Sequence, residues 1–104
     1  MPPTNYQQGR DTEYKAARDL EKEGYTTARM AGSHSSVDLI AWNGEHTKFI
    51  QCKSFRTRPG SYAEDIAKLE ALSLPPHSTA ELWVRKVGMR GWLEKRVVKA
   101  NLPN

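Results

Sequence analysis

At 104 residues the chain is long enough for one compact domain and too short for two. Its 38% apolar and 27% charged residues are ordinary for a soluble globular protein, and no apolar run approaches the ~20 residues that a membrane helix needs. The formal net charge of +4 points only weakly to a polyanionic partner, because a solvated basic surface gives the same sum. The opening MPPTNYQQGR lacks the basic-then-apolar pattern of a secretion signal, and the single cysteine, Cys52, cannot form an internal disulfide. Both features point to a reducing, cytoplasmic setting.

Residues 1–9 are polar, carry two prolines and read as a flexible arm ahead of a single domain over 10–104. From Arg10 to Glu23 there is neither Gly nor Pro; Ala16, Ala17 and Leu20 form a helical stripe that Gly24 ends. Tyr25 to Met30 reads as a strand, Ala31 to Ser36 as a small polar loop and Val37 to Trp42 as a second strand. Asn43-Gly44 is a strong signal for a two-residue hairpin turn, with Thr47 to Lys53 returning. Ser54 to Ser61 is a basic loop. Tyr62 to Leu74 is a second helix with Ile66 and Leu69 inward, ended by Pro75-Pro76. Ala80 to Val87 and Trp92 to Val98 are two more strands around Gly88 and Gly91. The order α-β-β-β-α-β-β predicts an α/β domain, a mixed five-stranded sheet flanked by helices.

Three features suggest chemistry. Glu13 continues the apolar stripe of Ala16, Ala17 and Leu20, so it points toward the sheet. A first-turn carboxylate that only favours the helix dipole is the plainer alternative. Asp38 interrupts an otherwise apolar strand, where Asp is disfavoured; an edge position facing solvent, or a strand that starts one residue later, is the alternative. A two-residue turn at Asn43-Gly44 would pair Trp42 with Glu45 and set Asp38 opposite Phe49, with Gln51 its diagonal neighbour and Lys53 one pleat beyond on the same face. Asp38, the Gln51 carbonyl, the Cys52 backbone carbonyl and Glu13 would together suit Mg²⁺, an oxygen-seeking cation. Lys53 beside them could orient a water or stabilise a charged phosphoryl transition state; a solvated lysine facing phosphate is the bland alternative.

A helix glutamate followed by Asp38, a short hairpin and Gln51-Cys52-Lys53 resembles the PD-(D/E)xK nuclease signature. That signature is degenerate, and its surroundings narrow it. Gly9-Arg10, Glu23-Gly24-Tyr25, Arg29-Met30-Ala31-Gly32-Ser33 and Val37-Asp38-Leu39-Ile40-Ala41 are similar to the archaeal-type Holliday junction resolvases and their viral relatives. The resemblance implies a restriction-endonuclease-like fold and a homodimer that cuts four-way DNA junctions with Mg²⁺, Mn²⁺ being the natural substitute. It implies metal-binding and catalytic roles for Glu13, Asp38, Gln51 and Lys53, a catalytic role for Ser33, and DNA contacts from Arg10 and Arg29, with no small-molecule cofactor and no membrane. It implies an archaeal, viral or phage source, the last two placing the protein in the host cytoplasm. Val37 stands where the signature has proline, and Gln51 where it usually has glutamate. An amide coordinates through its carbonyl but holds a divalent cation less strongly than a carboxylate does. A nuclease for flapped, branched or duplex DNA, or a DNA-binding module of the same fold without catalysis, are therefore alternatives.

Other groups fit less well. Ser33, Ser35, Ser36 and His34 crowd one loop without an orienting acid, so a serine-hydrolase reading is poor and a phosphate-holding loop is preferred. His34, His46 and His77 lack zinc-ligand spacing with Cys52, whose own side chain alternates to the face opposite Gln51 and Lys53. Arg56 and Arg58 flank the site and are candidate phosphate contacts. The apolar C-terminal strands and part of the second helix are expected to contribute a dimer interface.

Overall fold

The first helix, α1, spans Asn5–Lys22 in a computed structural model that describes residues 5–30 and 36–103. It therefore takes in five of the nine residues expected to form a flexible arm. The reason is tertiary. Gln8 is buried and donates from Nε2 to Ser54 Oγ at 3.0 Å, which anchors the extra turn although Gly9 costs a helix about 1 kcal/mol. The far end closes as expected: Gly24 takes φ 95°, and Gly24 N–H and Tyr25 N–H donate to Glu21 O and Leu20 O, a Schellman cap.

The strands β1 (Thr26–Arg29), β2 (Leu39–Trp42), β3 (Thr47–Phe55), β4 (Ser78–Lys86) and β5 (Glu94–Asn101) form one sheet in the order β1-β2-β3-β4-β5. Neighbours are antiparallel except β3 and β4, which are parallel and connected through helix α2 (Ala63–Glu70). The sheet is thus mixed, as the element order predicts. The β4–β5 register shifts between Ala80 and Glu81, where Ala80 faces Lys99 and Glu81 faces Val97.

Side-chain alternation divides the sheet into two faces. On one, Ala16, Ala17 and Leu20 of α1 pack on Leu39, Ala41, Ile50 and Trp83. On the other, Leu69 of α2 packs with Ala80, Leu82 and Val84, joined by Ile66, Leu72 and Leu74. The second helix ends at Glu70 with Ala71 as its C-cap, short of the expected Leu74. Lys99 Nζ then donates to Glu70 O and Leu72 O, satisfying carbonyls that the helix end leaves open. Trp92, expected to open β5, instead meets Trp83 edge-to-face at 5.1 Å and donates from Nε1 to Asp19 Oδ2 of α1. The strand starts only at Glu94.

The hairpin differs from the expected one. Trp42 pairs with Thr47, not Glu45, so the connection is four residues long. Asn43 organises it: its N–H donates to His46 O, and its Oδ1 accepts from Glu45 N–H and His46 N–H at 2.8 and 2.7 Å. The register moves by two residues. Because the strand repeat is also two, every side chain keeps its face while its partner changes.

Candidate metal and DNA site

The β2–β3 register places the candidate groups. β3 continues to Phe55, but pairing with β2 stops at Leu39↔Ile50. One step further, Asp38 lies across from Gln51, not Phe49, and just outside β2 rather than within it. Its N–H donates to Ile50 O at 2.9 Å. Its Oδ2 accepts from the backbone N–H of Cys52 at 2.9 Å. A carboxylate thus fills the ladder position that a strand residue would have taken, in a notch where β3 runs on alone.

Gln51 and Lys53 leave β3 on the α2 face, beside Leu82 and Val84 of β4. Gln51 is 9% exposed, and its Oε1 is a buried acceptor without a hydrogen-bond partner among the described residues. Such an atom is costly unless something else satisfies it. The Lys53 ammonium lies 3.4 Å from Asp65 Oδ1 of α2. Cys52 points to the opposite face and packs against the α1 core. Burial, then the nearby charges of Asp38 and Glu13, push its thiol well above the ordinary range, which disfavours the thiolate.

Gln51 and Lys53 stand on the α2 face, while Glu13 reaches the notch from the α1 side. Its Oε1 accepts from Arg29 Nε and Nη2 at 3.2 and 3.1 Å, and the Arg29 guanidinium lies 4.3 Å from the centre of the Tyr14 ring. Burial and the Asp38 charge nevertheless raise the Glu13 pKa above its ordinary value, outweighing Arg29. Asp38 is raised as well, first by burial, with Asp65 adding to it and Cys52 N–H, Lys53 and Arg29 opposing. Two carboxylates held in a region that disfavours their charge are placed to gain from a cation. Among the described residues, no three His, Cys, Asp or Glu side chains form a ready-made metal cage. The donor set is two acids, an amide oxygen and backbone, which suits a hard cation that keeps waters better than it suits zinc.

Arg10, Arg56 and Arg58 are exposed, the last two in the loop that leaves β3 just beyond Lys53. Ser33, with His34 and Ser35, lies outside the described residues. Two groups escaped the sequence reading. Thr12 is buried, bonds back to Gln8 O, and accepts from Arg85 Nε at 2.8 Å, tying α1 to the end of β4. Asp65 is the other. Its signal was available, since Asp65, Leu69 and Leu72 share one helical stripe, the same clue that singled out Glu13.

No helix is long and apolar enough to cross a membrane among the described residues. The sequence model described as "Archaeal holliday junction resolvase (hjc)" matches residues 4–93. The crossover junction endodeoxyribonuclease Hjc of Methanocaldococcus jannaschii is 41% identical over 69 residues, which is 65% of this chain and 51% of that protein. The chain therefore spans about half the length of this curated relative. The 1.6 Å structure of Archaeoglobus fulgidus Hjc, a Holliday junction resolvase from a hyperthermophile, superposes with a TM-score of 0.67 at 21% identity, covering 88% of this chain and 73% of that one. That likeness shows the fold, and the family match over most of the sequence shows the lineage: this chain belongs to the archaeal Holliday junction resolvase family.

Proposed function

We propose that the chain is a metal-dependent endonuclease that resolves four-way DNA junctions by paired phosphodiester cleavage. One observation carries the reading: the buried, unpartnered Gln51 carbonyl sits beside Asp38 and Lys53 at the notch where β2 stops, in a chain of a resolvase family. Glu13, Asp38, Gln51 Oε1 and the Cys52 carbonyl are the groups that would hold Mg²⁺, or Mn²⁺ in its place. When bound, such a cation polarises phosphoryl oxygens and makes a coordinated water more acidic.

The chain's own residues do the rest. Lys53 presents a positive charge to the phosphate and orients the attacking water. Arg29 holds Glu13 in place and, being exposed, can meet a phosphate from the same position. Arg10, Arg56 and Arg58 position DNA arms by backbone contact, which recognises shape and not sequence. The family resemblance assigns Ser33 a catalytic role, and Ser33→Ala should slow cleavage. A DNA substrate fits the cytoplasmic setting, that of a host if the chain is viral or phage-encoded.

Opposed nicks on a two-fold junction call for a two-fold enzyme. We place the homodimer contact at the end of α2, where a groove of about 210 Å³ is lined by Met30, Val37, Ile40, Phe49, Leu72 and Leu74. Leu93, Val97 and Leu102 add exposed apolar surface along β5. A dimeric mass in light scattering at micromolar concentration supports this assembly, and a monomeric mass overturns it.

The function is tested with labelled four-way junction, linear duplex and flap substrates, in Mg²⁺ and in EDTA. Symmetric, Mg²⁺-dependent cuts confined to the junction support the proposal. Cuts on flap or duplex identify a related nuclease. The amide at position 51 motivates a second reading, a binding module without catalysis; tight junction binding with no cleavage in any divalent metal would establish it.

A further inference from the structure

We propose that Asp65 is a positioning residue of this site: its carboxylate holds the Lys53 ammonium and supplies, from α2, the negative charge that an amide at position 51 withholds from a bound divalent cation. The inference rests on the metal-dependent reading above.

Charge counting poses the problem. Around the notch Glu13 and Asp38 carry two negative charges, while Lys53 and Arg29 carry two positive ones. A site of zero net charge attracts a divalent cation poorly, and Gln51 adds no charge to it. Asp65 is the carboxylate that alters the sum. It stands on the α2 face, the face of Gln51 and Lys53, with its Oδ1 3.4 Å from Lys53 Nζ.

A first-turn acid on α2 could be explained by the helix dipole alone. Its neighbour fits that description: Glu64 has an 85% exposed side chain and pairs loosely with Lys68 one turn on. Asp65 does not, because its side chain is only 23% exposed and turns inward to Lys53, itself 34% exposed. The buried Gln51 oxygen without a partner, on the same face, marks where a cation would complete the set. The Asp65 carboxylate is turned to Lys53, and the role assigned to it is that of an outer partner of the metal ligands.

The test measures Mn²⁺ binding by calorimetry on the full chain without DNA, beside its thermal unfolding. Asp65→Asn should weaken Mn²⁺ binding by roughly ten- to a hundredfold, the usual effect of losing an outer-shell partner. Asp65→Asn combined with Gln51→Glu should restore it, because charge returns from the neighbouring strand. Unchanged Mn²⁺ affinity in Asp65→Asn overturns the proposal. So does weakened binding that Gln51→Glu fails to rescue in a folded protein, which would make Asp65 a scaffold residue. A native chain that binds Mn²⁺ but cuts no junction would sink the junction assignment and leave this inference standing.

Discussion

Asp38 Oδ2 and the Cys52 amide meet at 2.9 Å, so the acid just ahead of β2 occupies the hydrogen-bonding edge of β3. An asparagine could keep that contact, since its side-chain oxygen still accepts. Asp38→Asn should therefore fold normally and bind a four-way junction within about twofold of the native chain, because it removes no DNA-facing cation. Cleavage should fall by roughly a hundredfold or more, the loss expected when a metal ligand is neutralised. Gel-shift and cleavage assays in Mg²⁺ on one preparation check both.

The two raised carboxyl groups set a pH signature. Glu13 and Asp38 have folded pKa values above their ordinary 4.5 and 3.8. Between the ordinary and the raised values the folded chain holds more protons than the unfolded one. Stability from these groups is therefore present below the ordinary values and falls as pH rises through the raised ones. Without metal, Glu13→Gln with Asp38→Asn should unfold at higher urea than the native protein at pH 7. The difference should shrink as pH falls and vanish near pH 3, below both unfolded values. Metal affinity should fall with pH as protons compete for the same oxygens.

Gln51→Glu tests the cost of an acid at a 9% exposed position. The metal-free variant should unfold at lower urea, since a desolvated carboxylate joins two others. Mg²⁺ should bind it more tightly, and cleavage at limiting Mg²⁺ should be retained or raised. Lost activity would show that the amide does something a carboxylate cannot.

Glu81 is the buried charge on which the α1 face depends. It is 2% exposed and accepts from Thr79 Oγ1, Trp83 Nε1 and Lys48 Nζ at 2.6, 2.9 and 3.0 Å. Burial pushes its pKa up, but these three donors outweigh it and hold the carboxyl below 4.5. Its contribution is present above the ordinary value and lost as pH falls through the lowered one. Glu81→Ala should cost about 3–5 kcal/mol in urea unfolding, the range for breaking a buried pair. Glu81→Leu with Lys48→Met should recover most of it.

Arg56 and Arg58 follow β3 just beyond Lys53 and are exposed. If each neutralises one phosphate, each alanine variant should lower the slope of log affinity against log salt by about 1 and weaken junction binding evenly across sequences. Fluorescence anisotropy between about 50 and 200 mM salt reads this directly.

Much of this architecture was legible in the residues. The Gly24 cap, the order of elements and the shared face of Gln51 and Lys53 all follow from local stereochemistry. The hairpin length did not, because Asn43-Gly44 suits a two-residue turn by itself. The choice of a four-residue loop lies in the Asn43 side chain reaching Glu45 and His46 amides, together with the pairing beyond. The N-terminal extension of α1 was hidden too, since only the folded partner Ser54 makes helix worthwhile at Gln8. Glu13 approaching from the other face could not be read, because helical periodicity fixes which residues point inward and not which side of a sheet receives them.

The parallel pairing of β3 with β4 bears on how the protein is made. A ribosome makes the helix, both arms of the hairpin and the basic loop before the residues of β4 exist. Until then one flank of β3 has no hydrogen-bonding neighbour, and the apolar side chains that later meet α2 are wetted. The parallel neighbour β4 arrives late and must pair with β3 across an intervening helix, a topology that slows folding. A nascent chain stalled short of Ser78 would carry every proposed ligand and still be unable to hold them in place.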